Sequence, residues 1–310
     1  AQDALASVRA LKASVSQQLA AAQRNFEVGN ATITDSREAQ ARFDLASAQE
    51  IASENDLRVK TLALEQLVGQ AGIHPLTLAQ PIVLPAPQPA DVHAWVNQAA
   101  EQHPGVVQAR MALDIARMET DRARAAGQPT VDLQASVGQT RYPNGNPSVS
   151  IAPTTHARTN NASIGVVLNW PLFAGYAIEN RVKETLALQD RARADLDNLQ
   201  RTVSQSARAA FFGVQSGLSQ VKALEAAEHS SQTALQANLI GYQVGVRINI
   251  DVLNAQSQLY QTQRDLARAR YDVLVGLLRL KQAAGALSAQ DLTGVDALLA
   301  KAAPAAEKSE

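Results

Sequence analysis

Cysteine is absent from the 310 residues, which excludes disulfides, thiolate metal sites and thiol nucleophiles and leaves the redox compartment open. Aromatic side chains make up only 4% of the chain, so the bulk they usually supply to a globular core must come from Ala, Leu and Val. No run of about 18 apolar residues occurs, so no transmembrane helix is expected. Neither sign of charge dominates, with 28 basic and 29 acidic side chains, and no polyanionic partner is implied. His74, His93, His103, His156 and His229 lack metal-ligand spacing. A phosphate-cradling glycine loop, a nucleophile elbow and a carboxylate dyad are missing too. Arg201, Arg208 and Arg247 form no basic patch interleaved with aromatics. These gaps point away from an enzyme, a cofactor or a nucleic-acid partner. The start at Ala1 shows neither Met nor a signal-peptide pattern, so a processed or cut chain is expected.

The twelve prolines are unevenly spread. None falls between Ala1 and His74, and none between Leu172 and Ala303; proline is costly inside helices, so both stretches are free to be long helices. Prolines gather at Pro75–Pro89, which predicts an extended connector. A helix is expected from about Pro104 to Ala126, with Val106, Ala109, Leu113 and Ala116 on one side. Apolar residues then alternate over Thr130–Val137, and Ile164, Val166, Leu168 and Trp170 share a face, which predicts two strands with one apolar side. A polar loop, YPNGNPSVSIAPTTHARTNN, joins them. Two such strands are not stable alone in water, so they need partners, from this chain or from others.

An internal repeat is the strongest signal. Phe26-Glu27-Val28-Gly29 and Tyr242-Gln243-Val244-Gly245 lie 216 positions apart, and at the same offset Asp35 meets Asp251, Ala39-Gln40 meets Ala255-Gln256, and Gly69 meets Gly285. Each copy reads as helix, glycine turn and returning helix. By the same offset, the counterpart of the strand pair is expected upstream of Ala1. In the helix after the second turn, Val252, Leu259, Leu266, Val273 and Leu280 recur every seven residues, and Ala255, Thr262, Ala269, Gly276 and Ala283 form a parallel column of small ones. Large and small knobs alternating in this way predict a left-handed coiled coil with close approach. The preceding helix, from about Ala177 to Ile240, would be roughly 95 Å long at 1.5 Å per residue.

At these residues the chain resembles the TolC family of outer-membrane efflux and secretion channels. The best stretch is GYQVGVRINIDVLNAQSQLYQTQRDLARARYDVLVGLLRLKQAAGALSAQDL, from Gly241 to Leu292, supported by RNFEVGNATITDSREAQARFDLASAQ and by Trp170-Pro171-Leu172-Phe173-Ala174-Gly175 at a strand-to-helix junction. The resemblance implies a mainly α fold with a small β part: long antiparallel helical hairpins forming a periplasmic tunnel, and strands given to a trimeric transmembrane barrel. It implies a passive exit duct in the outer membrane and its lipid, extending into the periplasm, with no cofactor. The expected partners are two further copies of the chain, a periplasmic adaptor and an inner-membrane pump. Family protomers give four strands to the barrel; only two are present here. The expected division is 1–71 first hairpin, 72–103 connector, 104–128 helix leading to the barrel, 129–172 β-hairpin, 173–285 second hairpin and 286–310 tail. A soluble coiled-coil adaptor or scaffold is the alternative, although the many-stranded domain usual in adaptors is not found.

The resemblance also assigns residues. Thr34, Asp35, Tyr242 and Arg247 match positions where a Tyr–Asp hydrogen bond and Arg contacts tie inner and outer coils into a closed gate. Read from the residues alone, they are rather a solvated charge pair at a helix tip, worth about 0–1 kcal/mol. Asp251 matches a pore-lining carboxylate, three copies of which would attract cations; it could instead cap its helix. Asn254 stands where the family's best-known member has a second aspartate. Val28, Gly29, Val244 and Gly245 match helical tips that touch the adaptor, and are otherwise tight-turn residues.

Overall fold

The computed structural model describes residues 1–79, 82–142 and 157–299. The middle of the predicted loop with His156, and the end of the predicted tail, lie outside the described residues. The elements in chain order are α1 (Gln2–Glu27), α2 (Ile33–Val68), α3 (Val92–Gln102), α4 (Pro104–Ala125), β1 (Thr130–Tyr142), β2 (Ala157–Asn169), α5 (Ala177–Gln243), α6 (Asn249–Ala283) and α7 (Ala289–Asp296). They form two compact units, Ala1–His103 with Arg201–Glu310, and Pro104–Gln200. Helix α5 contributes to both.

In the first unit, α1 and α2 form an antiparallel hairpin. Arg9 reaches both Glu50 (3.1 Å) and Glu54 (2.6 Å), and Lys12 also binds Glu50 at 2.8 Å. Hydrogen bonding, from Lys12 above all, holds the Glu50 carboxyl below its ordinary range. The five large residues of the α6 heptad column are all buried, each contributing about 1.5–3 kcal/mol. Close approach follows from the small residues, as the heptads predict. A Cβ on Gly217 of α5 would sit 2.8 Å from Val273 Cγ2, and one on Gly276 would sit 3.3 Å from Val214 Cγ2.

The connector expected over 72–103 contains a helix that the proline spacing concealed. Asp91 Oδ1 accepts the His93 N–H at 3.0 Å and starts α3. The helix stops at Gln102 because His103 precedes proline and takes an extended ψ of 127°. Pro104 then opens α4, at the position where its missing N–H costs nothing. Trp95 of α3 packs with Phe211, Val214, Leu280 and Ala284, and its indole N–H donates to Pro89 O at 2.8 Å. The expected C-terminal tail likewise holds a short helix, α7, built on a Ser288–Asp291 capping box.

In the second unit, β1 and β2 pair antiparallel in one unbroken register. Residues 157–161, expected in the loop, are paired strand, and Trp170 lies just beyond β2. The register brings Val131 opposite Leu168, Leu133 opposite Val166, and Ala135 opposite Ile164. The register therefore puts Val131, Leu133, Ala135, Ile164, Val166 and Leu168 on one face, with Val167 on the other, opposite Asp132. The first face is uncovered: Leu133 is 72% exposed, Ile164 78% and Val166 69%. The other face carries Asp132, Gln134 and Ser136, whose hydroxyl bonds Ser163 Oγ at 2.8 Å. On α4, Val106, Leu113 and Thr120 form a buried stripe at seven-residue spacing, with Ala109 and Ala116 half-buried beside it.

Candidate gate at the paired helical turns

The two turns of the repeat fold alike, bond for bond. Val28 N–Arg24 O (3.1 Å) matches Val244 N–Ile240 O (3.1 Å), and Gly29 N–Phe26 O (3.0 Å) matches Gly245 N–Tyr242 O (3.1 Å). Asn30 N–Asn25 O (2.7 Å) matches Val246 N–Gly241 O (2.8 Å). These are the paired closures of a Schellman end, which requires a left-handed residue; Gly29 and Gly245 both take φ 78°. Val28 and Val244 stand exposed at the turns. The turns lie side by side, since Asn25 Nδ2 donates to the Tyr242 hydroxyl at 3.2 Å.

After the turns the copies diverge. Helix α2 is capped by Thr32: its Oγ1 accepts the Asp35 N–H at 3.2 Å, and Asp35 Oδ2 accepts from Thr32 N at 3.0 Å and Oγ1 at 2.8 Å. Helix α6 begins after Ile248 with no side-chain cap. Asp251 therefore does not cap its helix; its Oδ2 stands 3.7 Å from Arg247 Nη1. Within the chain, the Asp35 carboxylate serves the cap and Tyr242 pairs with Asn25, while Thr34 is exposed. The four expected gate residues thus surround the two turns, and Asp35, Tyr242 and Arg247 each have a local partner there.

A model of the family described as "Outer membrane efflux protein" matches residues 95–286, more than half of the chain. The chain belongs to the outer membrane efflux protein family. It is 34% identical over 298 residues to the outer membrane protein TolC of Vibrio cholerae, covering 96% of this chain and 67% of that protein. It is 33% identical over 296 residues to the alkaline protease secretion protein AprF of Pseudomonas aeruginosa, covering 94% of this chain and 60% of AprF. The chain thus spans about three fifths to two thirds of the length of these relatives. Its fold matches the outer membrane protein VceC of Vibrio cholerae with a TM-score of 0.71 at 19% identity, over 92% of this chain and 66% of that one. The mainly helical fold with long helices and a small antiparallel β-hairpin is therefore that of the outer membrane efflux proteins.

This efflux-family chain also brings to the turns Arg42, Gln18 and Asn249, which its sequence did not single out. Asn254, expected beside an aperture, accepts a bond from Arg42 Nη2 of α2 at 2.9 Å. Gln18 Nε2 of α1 donates to Asn249 Oδ1 at 2.6 Å, and Asn249 Nδ2 donates to Asp35 O at 3.2 Å. Asn249 and Gln18 are buried, and their helices also supply Val15, Ala22 and Leu253 to an apolar cluster with Ala39. One clue was present: Asn249 opens a column continued by Gln256 and Gln263, polar residues at a spacing where an apolar helix face would be expected.

Proposed function

We propose that this chain is one protomer of a trimeric, passive exit duct that crosses the outer membrane and extends into the periplasm. An inner-membrane pump and a periplasmic adaptor supply energy and cargo. The observation that carries the reading is the hairpin face formed by Val131, Leu133, Ala135, Ile164, Val166 and Leu168. No described helix is long and apolar enough to cross a membrane, whereas this face is exposed and uniformly apolar. A lipid-facing barrel strand alternates in this way, and copies of the chain, with further strands, would close the sheet edges. A soluble coiled-coil adaptor has no use for such a face, and the family membership gives that alternative no support.

In this reading Thr34, Asp35, Tyr242 and Arg247 close the periplasmic end, with links running between neighbouring copies as well as within one. Asp251 lines the aperture. Val28, Gly29, Val244 and Gly245 meet the adaptor, where the glycine turns allow close backbone approach. AprF is named for protease secretion; secretion of a protein through this duct is one use the same architecture would serve. The test is reconstitution of the full-length protein. It should require detergent for extraction, crosslink as a trimer and give discrete conductance steps in planar bilayers. A protein released by salt alone and silent in bilayers would refute the duct.

A further inference from the structure

We infer that the buried relay Gln18–Asn249–Asp35 is a latch, in which Asn249 acts as a positioning residue that seats the second turn, with Tyr242, Arg247 and Asp251, against the first hairpin. This rests on the gated-duct reading. The start of α6 needs a directional anchor. Its N-cap, Ile248, offers no side-chain bond, whereas α2 starts on a self-contained box between Thr32 and Asp35. The packing around it, including Val15, Ala22, Ala39 and Leu253, is apolar and therefore non-directional. Such packing allows sliding and rotation.

Asn249 supplies the missing direction. It is 1% exposed, and Gln18 is 7% exposed. A single amide reaches both helices of the first hairpin: its oxygen accepts from Gln18 on α1 at 2.6 Å, and its nitrogen donates to the Asp35 carbonyl on α2 at 3.2 Å. Both ends are satisfied only in this seat, and a buried amide left without partners is costly. A buried Asn fixes register in coiled coils by the same logic. Asn249 lies two residues from Arg247 and two from Asp251, so releasing it frees the segment that carries the gate. The relay also ends on the residue whose carboxylate belongs to the gate, Asp35, but on its backbone carbonyl. The latch therefore works independently of that carboxylate.

The experiment measures open probability of the full-length protein in planar bilayers for wild type, Asn249→Leu, Gln18→Leu, the double Leu variant and the exchanged pair Gln18→Asn/Asn249→Gln. Either single Leu change should raise open probability about 5- to 30-fold, the effect of losing one or two buried hydrogen bonds. The double Leu variant should regain the wild-type melting temperature, because removing both partners is nearly neutral for stability, yet remain as open as the singles. The exchanged pair should close again. Single variants that melt earlier but open no more than wild type would overturn the latch while leaving the duct intact. A wild-type protein that forms no pores would sink the duct reading, and the latch with it.

Discussion

At the proposed aperture, formal charge and available charge differ. Asp251 brings a carboxylate, but Arg247 stands 3.7 Å from it. At residue 254 a neutral amide holds the Arg42 guanidinium at 2.9 Å. Each of these two positions therefore has a guanidinium beside it. Asp251→Ala should reduce block by divalent and trivalent cations, measured as the blocking concentration in bilayers. Asn254→Asp should strengthen block only modestly, because Arg42 would pair with the new carboxylate at close range. Adding Arg42→Ala to Asn254→Asp should strengthen block well beyond the single change, and equal block in the two variants would count against the pairing. The Tyr242→Phe/Arg247→Ser variant removes the acceptor for Asn25 and the partner of Asp251. Each link is worth about 0–1 kcal/mol when partly exposed, so the pair should raise open conductance a few-fold; an unchanged value would remove both residues from the gate.

Among the helices, the α5–α6 contact depends on what Gly217 lacks. With Val273 Cγ2 only 2.8 Å from the site of a Cβ, Gly217→Ala should lower stability by about 1–3 kcal/mol, as overpacking does. Val273→Ala in the same chain should recover part of that loss in a denaturant titration. Helix α7 is tied differently. Lys281 bonds Asp291, with the Ser288 amide and hydroxyl adding to it, and the carboxyl lies at about 2 instead of the ordinary 3.8. A carboxylate held low in the folded state stabilises above its unfolded pKa, and that stability fades as pH falls through the folded value. The melting difference between wild type and Asp291→Asn should therefore be full above about pH 5 and shrink progressively as pH falls through about 2. What could be read beforehand at this scale was what repeats. The α6 heptads declare their buried column because Val252 through Leu280 recur without a break. Helix α3 was hidden because its 11 residues lie between prolines, and α7 because a helix of 8 residues is set by its cap and docking more than by propensity. The Gln18–Asn249 bond joins residues 231 positions apart, and no local periodicity encodes a partner at that distance.

For the molecule as a whole, the hairpin decides what surrounds it. Sequence alternation showed that each strand has an apolar side, but it did not show that the two sides coincide; that depends on register, and a slip of one residue would have turned one strand over. The observed pairing of Val131 with Leu168 and Leu133 with Val166 makes one continuous apolar surface, opposite one carrying Asp132, Gln134 and Ser136. In the barrel reading, the first surface meets lipid and the second faces the water-filled interior. Neighbouring residues of β1 should then respond oppositely to the same charge. Leu133→Arg places a guanidinium in hydrocarbon, at a cost of about 2–4 kcal/mol near the midplane. Repeated in three copies, that cost should deplete assembled trimer from outer-membrane fractions. Gln134→Arg, one residue along on the other face, should assemble normally and alter only conductance or ion preference. If the two variants assembled equally well, the apolar face would have some other cover, and the hairpin would not be a membrane strand pair.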